Sequence, residues 1–282
     1  MAAKKLKMEK VGPKEWKFDD PPGLSGIKDE FYNAVDLMGE EDGDAAEKFF
    51  RKVIRNCPLH IDAHHHLALL MSYRGDVMTA FELWGKAVEI GMKSLPEEFV
   101  MGEDRLEWGW LENRPFLRAY YGLAMFLFDA GRNDSAHLIF NHLLAMNPND
   151  NQGVRALAVE NSFAMDRPDE ALQVCDKYEN DGMADTVYGR SLALLGMGRK
   201  KQAEKALIRA VGLLPEVARE LLRKRHRMPK DMSFGYITVG GADEAYDYWQ
   251  RMGRYWKNTD GALAFLADVL SRCQVKASPA RH

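Results

Sequence analysis

The chain has 282 residues and a formal net charge of −3; 46% of the residues are hydrophobic and 29% are charged. This balance excludes a general electrostatic attraction to nucleic acid or anionic lipid. Three widely separated cysteines, Cys57, Cys175 and Cys273, indicate neither a disulfide framework nor a cysteine-rich zinc site. Because no apolar stretch approaches the ~18 residues of a membrane span, we expect a cytoplasmic protein.

The N-terminal segment differs in character from the rest of the chain. Residues 1–24 alternate charged residues with proline and glycine and end in DDPPGLSG, so we expect a flexible N-terminal arm with nothing periodic to bury. From residue 25 to about 273, apolar residues recur at helical spacing between short polar turns. Two exceptions are YITV at residues 236–239, a candidate for extended structure, and residues 274–282, which we expect to be a disordered tail.

The turns themselves repeat. Each of five turns precedes an alanine that is followed, four positions later, by a larger residue. The pairs are Ala46/Phe50, Ala80/Trp84, Ala136/Phe140, Ala171/Cys175 and Ala203/Leu207. Successive alanines are 34, 56, 35 and 32 residues apart, and the 56-residue interval equals one period plus 22 inserted residues. A period near 34 with A-x-x-x-F and a later proline resembles the tetratricopeptide repeat (TPR) family.

The first helix of each repeat strengthens this resemblance. The slots of W-x-x-L-G-x-x-Y are filled in the second and third repeats by His64, Leu67, Ala68 and Met71 and by Tyr120, Leu123, Ala124 and Leu127. The resemblance covers roughly residues 25–215 and implies an all-α, right-handed superhelical solenoid of about five to six helix pairs, within a repeat domain spanning 25–273. Residues 216–273 carry an apolar helical pattern that predicts a C-terminal capping helix pair.

A narrower resemblance extends further along the chain. RLEWGWLENRPFLRAYYGLA, NPNDNQGVRAL and ITVGGADEAYDYWQRMGRYWKNTDGALAFL are similar to segments of a group of prokaryotic TPR-repeat proteins. This resemblance covers about residues 60–268 and implies no activity. It indicates that the whole length belongs to a single architecture.

The histidines of LHIDAHHHLALL, residues 59–70, raise the question of a metal site. At ~100° per helical residue, His64, His65 and His66 point in different directions and cannot share one ion. His60 and His64 are four apart, but Asp62 is the one further ligand nearby. We therefore predict no metal site and no cofactor: His64 is a partly buried packing residue, His60 lies at the surface and His65 faces a groove.

The insertion at about residues 91–115 carries six acids beside Trp108 and Trp110. These carboxylates are scattered, with no nucleophile or metal ligand at a usable spacing, so we expect no enzyme. Two interpretations of the insertion remain. Either it forms an amphipathic connecting helix packed through Leu106 and Trp110, or Trp110, Asn113 and Arg114 line one wall of a groove.

The resemblance to the TPR family implies a partner-binding groove, and most of its inward positions are apolar or aromatic here. With the insertion, the predicted lining is Phe31, Val35, His65, Leu69, Ser72, Trp110, Asn113, Arg114, Arg118, Tyr121, Met125, Phe128, Tyr188 and Leu192. Such a lining favours a protein or peptide partner, a second copy of the chain, or the N-terminal arm itself. We therefore expect a non-catalytic interaction scaffold.

A basic cluster supports an alternative function. ELLRKRHRMPKD, residues 220–231, contains Arg223, Lys224, Arg225, Arg227 and Lys230. These cations could bind phosphate groups, but no aromatic stacking platform or recognised nucleic-acid motif accompanies them. The pattern favours a solvated helix end, where cations are stabilised near the C-terminus. The alternative is a nucleic-acid-associated regulatory protein that uses residues 223–230.

Overall fold

A computed structural model describes residues 5–230, 232 and 237–277, with side chains as far as residue 273. The chain divides into two compact units, Met1–Val154 and Arg155–His282. We call them unit 1 and unit 2.

Unit 1 contains a hairpin and three pairs of helices. Strands β1 (Met8–Gly12) and β2 (Glu15–Phe18) are antiparallel, with Met8 opposite Phe18. The helices are α1 (Lys28–Gly39), α2 (Gly43–Asn56), α3 (Ile61–Tyr73), α4 (Val77–Ser94), α5 (Arg114–Asp129) and α6 (Asn133–Met146). Each helix packs on the next along the chain, and α3 also packs on α5.

Unit 2 continues the pattern. Its helices are α7 (Val154–Ala164), α8 (Pro168–Lys177), α9 (Ala184–Gly196), α10 (Lys200–Leu213), α11 (Pro215–Leu221), α12 (Ala242–Asn258) and α13 (Ala262–Ala277). The first of them begins at the boundary between the units. Helix α12 packs on α9 and α11, and α13 packs on α10, α11 and α12. The predicted fold class, an all-α helical repeat solenoid, is confirmed.

Local sequence explains where the helices begin. The side chains of Asp42 and Asp76 accept hydrogen bonds from the backbone N–H groups three residues on and so cap α2 and α4. The turns before α4, α6 and α10 contain Gly75, Gly131 and Gly198 at φ of 77°, 70° and 71°. A side chain there would be strained, which is why these three turns use glycine.

The alternation of small and large residues in the repeats forms the core. All five predicted alanines are fully buried, and so are their larger partners, with Trp84 the most exposed at 4%. Two glycines make room for aromatic rings. A Cβ atom on Gly122 would lie 2.5 Å from Trp84 Nε1, and one on Gly91 would lie 2.1 Å from Phe116 Cδ2. The helices α4 and α5 approach closely because these side chains are absent.

The N-terminal segment departs from the prediction. Residues 8–18 form the hairpin, and Trp16 and Phe18 are buried at 4% and 1% exposure. The expectation of nothing periodic to bury was wrong, because these two rings lie on one face of a strand at a spacing of two. Of YITV, Tyr236 lies outside the described residues and residues 237–239 form no strand. Of the predicted tail, residues 274–277 end α13 and 278–282 lie outside the described residues.

Candidate functional site

Residues of α3 and α5 together form one surface of unit 1 that is accessible to solvent. Asp62 lies in the first turn of α3, and its carboxylate accepts two hydrogen bonds from the Arg118 guanidinium of α5, at 2.6 and 3.2 Å. Residues spaced by three, four or seven share a helix face. We call this surface the α3–α5 face; it consists of Asp62, Leu69, Ser72, Arg118, Tyr121, Met125 and Phe128.

Most of the α3–α5 face is accessible. Ser72 is exposed, Met125 is 40% exposed, and Leu69, Tyr121 and Phe128 are half-buried. The Phe128 ring lies 6.3 Å from that of Phe140, which holds one side of it against α6. The face therefore presents apolar side chains beside one charged pair. Six predicted groove residues lie on this face: Leu69, Ser72, Arg118, Tyr121, Met125 and Phe128.

Trp108 closes the end of this face at the start of α5. The guanidinium carbons of Arg114 and Arg118 lie 5.1 and 6.0 Å from the centre of its ring, and Arg114 Nε donates a hydrogen bond of 2.9 Å to its carbonyl. Arginine over a tryptophan ring is a favourable cation–π arrangement. Neither Trp108 nor Asp62 is among the residues predicted from the sequence to line the groove.

Two predicted groove residues from the first two repeats are buried instead, and a third is partly covered. Phe31 is 6% exposed and packs 4.6 Å from His60 between ring centres. His65 is 6% exposed and accepts a hydrogen bond of 3.2 Å from Trp84 Nε1. Val35 is half-buried against the same core. The expectation that Phe31 and His65 contact a partner was wrong, because α2, α4 and the turn before α3 cover them.

Burial also controls the protonation of the histidines. It lowers the pKa of His65 to about 3 and that of His60 to about 4, and it lowers the pKa of His64. His60 is 5% exposed rather than at the surface, because its Nδ1 caps α3 by accepting a hydrogen bond from Ala63 N. His64 Nε2 donates to the Pro58 carbonyl. Among the described residues, no three histidine, cysteine or acidic side chains converge as a metal-binding group.

Between the end of α4 and the start of α5 the insertion is irregular apart from a 3₁₀ turn at Leu111–Asn113, so the predicted amphipathic helix was wrong. Asn113 is fully buried and joins the hairpin to α5: its Oδ1 accepts from Phe18 N, and its Nδ2 donates to the carbonyls of Trp16 and Glu107. Trp110 Nε1 donates to a Glu15 carboxylate oxygen at 2.9 Å. Both residues therefore hold the hairpin, and in this structure Asn113 is not available to a partner.

In unit 2 the corresponding surface is covered by the chain itself. Tyr188 and Leu192 of α9 are both fully buried. The Tyr188 ring lies 5.9 Å from Tyr248 and 6.3 Å from Trp256, both in α12, and its hydroxyl donates to the Leu214 carbonyl at 2.7 Å. The prediction that Tyr188 and Leu192 line an open groove was wrong, because α12 packs on the helix that carries them.

An arginine fixes α12 in this position. Arg251 donates through Nη1 to Asp185 at 2.7 Å and to Glu160 at 3.3 Å, and through Nη2 to Asp247 at 2.8 Å. Asp185 and Glu160 belong to α9 and α7 and are 3% and 4% exposed. Burial raises the pKa of the Glu160 carboxyl. One cation thus links three helices of unit 2.

Comparison with known proteins identifies the family. Residues 16–281 match the family model described as "Transcriptional repressor TCF25". The chain belongs to the TCF25 family. The sequence analysis identified the repeat fold but not this family. No curated protein matches the chain.

Solved TPR structures share the fold of this TCF25-family chain. A tetratricopeptide repeat protein from Parabacteroides merdae aligns over 90% of this chain and 81% of its own, with a TM-score of 0.53 and 14% identity. MamA aligns over 72% and 98%, with a TM-score of 0.51 and 16% identity. YrrB, described as a TPR protein with an unusual peptide-binding site, aligns over 68% and 90%, with a TM-score of 0.51 and 17% identity. These similarities establish the fold alone.

The described part of the chain contains no helix that is both long and apolar enough to cross a bilayer.

Proposed function

We propose that this TCF25-family protein is a non-catalytic scaffold that binds a protein or peptide segment on the α3–α5 face. The observation that carries the proposal is the difference in exposure at matching repeat positions. Met125 is 40% exposed on α5, while Leu192, at the matching position of α9, is fully buried in the core of unit 2. In unit 2 helix α12 packs on α9, the helix that carries Leu192, whereas Met125 stays exposed on α5.

The chemistry of the face favours an apolar segment with a polar or charged flank. Leu69, Tyr121 and Met125 offer apolar contact area, and an aromatic residue in a partly closed surface is a frequent anchor in protein interfaces. The Asp62–Arg118 pair supplies the charged end, with the Trp108 ring beside the Arg118 guanidinium. YrrB, which shares the fold, is described as having a peptide-binding site, and this agrees with a similar use here.

A photo-crosslinking experiment tests the location. Benzoylphenylalanine at position 125 should capture a defined protein from a lysate of the source organism, and the crosslink should map to one segment of that protein. Position 138 is the matched control, because Leu138 is an exposed apolar residue of unit 1 outside the α3–α5 face, at 55% exposure. Equal capture from both positions would contradict the proposal.

Binding of the captured segment then tests the energetics. Met125→Asp with Tyr121→Ala should weaken binding about 30-fold or more, which corresponds to about 2 kcal/mol. Leu138→Asp should leave binding within twofold, and circular dichroism checks that each variant folds. Unchanged affinity for the double variant would exclude this face as the binding surface.

A further inference from the structure

The basic cluster lies beyond a helix rather than at its end. Helix α11 finishes at Leu221, and residues 223–230 form no helix or strand. Arg223 pairs with Glu220 at 2.6 Å. Lys224, Arg225, Arg227 and Lys230 are exposed and form no ion pair with any residue that the structure describes. Four uncompensated cations therefore lie within seven consecutive positions.

His226 holds this segment against α12. Its ring stacks on Trp249 with 3.7 Å between centres and 10° between planes, and its Nδ1 lies 2.8 Å from a Glu220 carboxylate oxygen. The Glu220 side chain is 4% exposed, so the anchor is well packed. The cations on either side of His226 are thus presented from a fixed point on the surface of unit 2.

Aromatic side chains accompany the cluster after all. Tyr246 and Trp249 of α12 are half-buried, with 5.4 Å between their ring centres. Lys257 is exposed, makes no ion pair with a described residue, and lies eleven positions after Tyr246, on the same face of α12. Sequence analysis missed this arrangement because sixteen or more residues separate these rings from Lys230.

The acids near the cluster have partners already. Glu220 binds Arg223 and His226, and Asp243 accepts a hydrogen bond from Thr238 N at 2.7 Å. Asp247 binds Arg251. Asp231 lies outside the described residues. Among the described groups, the positive charge of residues 224–230 is therefore not cancelled locally.

We propose that residues 223–230 together with Tyr246 form a binding site for single-stranded nucleic acid. Single strands are held by cations that follow the phosphates and by aromatic rings on which bases stack. The ring of Trp249 is stacked on His226 and fixes the segment, which leaves Tyr246 as the ring for a base. An acidic peptide would use the cations but would gain nothing specific from this ring, and a duplex keeps its bases stacked internally and would leave it unused.

Fluorescence anisotropy with the full chain tests this site, using labelled twelve-nucleotide oligouridine RNA and oligothymidine DNA. If four phosphates are contacted, raising the salt from 50 to 200 mM should weaken binding about 50-fold. Replacing Lys224, Arg225, Arg227 and Lys230 together by glutamine should weaken binding at least about 30-fold at low salt. The RNA and DNA probes together decide which sugar is preferred.

A second cationic surface provides the matched control. Lys200, Lys201, Lys205 and Arg209 of α10 are also exposed and without ion pairs among the described residues. Replacing these four by glutamine changes the net charge equally but should alter binding less than threefold. An equal loss in both quadruple variants would overturn the proposal, because it would indicate attraction to net charge alone.

Tyr246 separates nucleic acid from other polyanions. Tyr246→Ala should weaken oligouridine binding about tenfold, while Tyr246→Phe should retain it. Polyglutamate of equal charge should bind at least tenfold more weakly than oligouridine. No binding of either oligonucleotide, no effect of Tyr246→Ala, or polyglutamate binding as tight as oligouridine would each overturn the proposal. The thermal unfolding of each variant confirms that it is folded.

Discussion

The two units place the same repeat positions in opposite environments. Asp62 and Asp185 each lie in the first turn of a helix, three positions before His65 and Tyr188 respectively. Asp62 pairs with Arg118 of α5, whose side chain is 32% exposed, beside an open surface. Asp185 pairs with Arg251 of α12, and the surface around it is closed.

The cause of this difference is one additional helix. Positions matching Met125 recur at Glu160 and Leu192, with the same spacings of 35 and 32 residues that separate the repeat alanines. In unit 2 both are buried, one in contact with Arg251 and one in the core beneath α12. A repeat position therefore fixes which way a side chain points, while later segments of the chain decide whether solvent reaches it.

The largest test of this comparison removes the arginine that fixes α12. Arg251→Ala leaves the buried Asp185 carboxylate without its cation and leaves Glu160 with Arg254 alone, at 3.5 Å, so unit 2 should lose about 3–5 kcal/mol of stability. Hydrogen exchange measured by mass spectrometry should become faster in α12 and α9 and stay unchanged in α3.

The matched control is Arg272→Ala, which breaks exposed pairs with Glu204 and Asp268 at 2.6 and 2.9 Å. Its cost should stay within about 1 kcal/mol. If Arg251→Ala costs no more than Arg272→Ala, then apolar packing alone holds α12 in place.

The next test concerns how unit 1 holds its hairpin. Asn113→Ala leaves Phe18 N–H without an acceptor and the carbonyl of Trp16 without its donor. The hairpin should lose about 3 kcal/mol of protection, which is about a 100-fold increase in amide exchange in residues 8–18. Trp110→Phe removes only the more exposed bond to Glu15 and should cost about 1 kcal/mol or less. Similar exchange in both variants would contradict the role of Asn113.

The test with the smallest expected effect compares how the stability of each unit depends on pH. Burial lowers the pKa of His60 to about 4, whereas an unfolded histidine titrates near 6.5. Between these values the unfolded state binds more protons, so the stability of unit 1 should fall as the pH is lowered. The loss from pH 7 to pH 5 should be about 2 kcal/mol for this residue. His60→Asn keeps an acceptor for Ala63 N and removes the titration, so it should reduce the loss by that amount.

Unit 2 should respond in the opposite direction as the pH passes through the raised pKa values of two buried carboxyls. Burial raises the pKa values of Glu160 and Glu244, so the folded state holds these protons more tightly than the unfolded state. Their contribution to stability is present at low pH and is lost as the pH rises through the folded pKa values. Urea unfolding at pH 7, 6 and 5, followed by hydrogen exchange of α3 and α12 peptides, checks both directions. Parallel losses in both units would contradict this assignment.

Sequence alone predicted the repeats well because their signal is local. An alanine four positions before a larger residue places both on one helix face, and the structure buries both. Exposure depends instead on distant segments. His65 and Tyr121 occupy the same repeat position, but Trp84 covers His65 while Tyr121 stays half-buried. Nothing near Tyr188 in the sequence indicates that α12, some fifty residues later, packs on it.

The hairpin and the insertion could not be predicted for a related reason. Residues 95–110 form no helix because backbone groups of this segment make hydrogen bonds to distant parts of the chain. Leu106 N donates to the Met146 carbonyl, and Trp16 N donates to the Arg105 carbonyl. These partners lie 40 or more residues away, so no short pattern encodes them. The alternation of Trp16 and Phe18 was the one local signal, and it spans too few residues to stand out.

The aromatic rings set into Gly91 and Gly122 limit how this chain can be rebuilt. Repeat proteins are often treated as interchangeable cassettes joined at uniform boundaries. Here the α4–α5 junction accepts only a specific partner. Trp84 occupies the space left by Gly122, Phe116 occupies the space left by Gly91, and any larger residue at either glycine would fill that space. A grafted repeat will dock on α4 only if it carries its own glycine at the position of 122, so the useful cut points for recombination lie inside the helix pairs rather than between them.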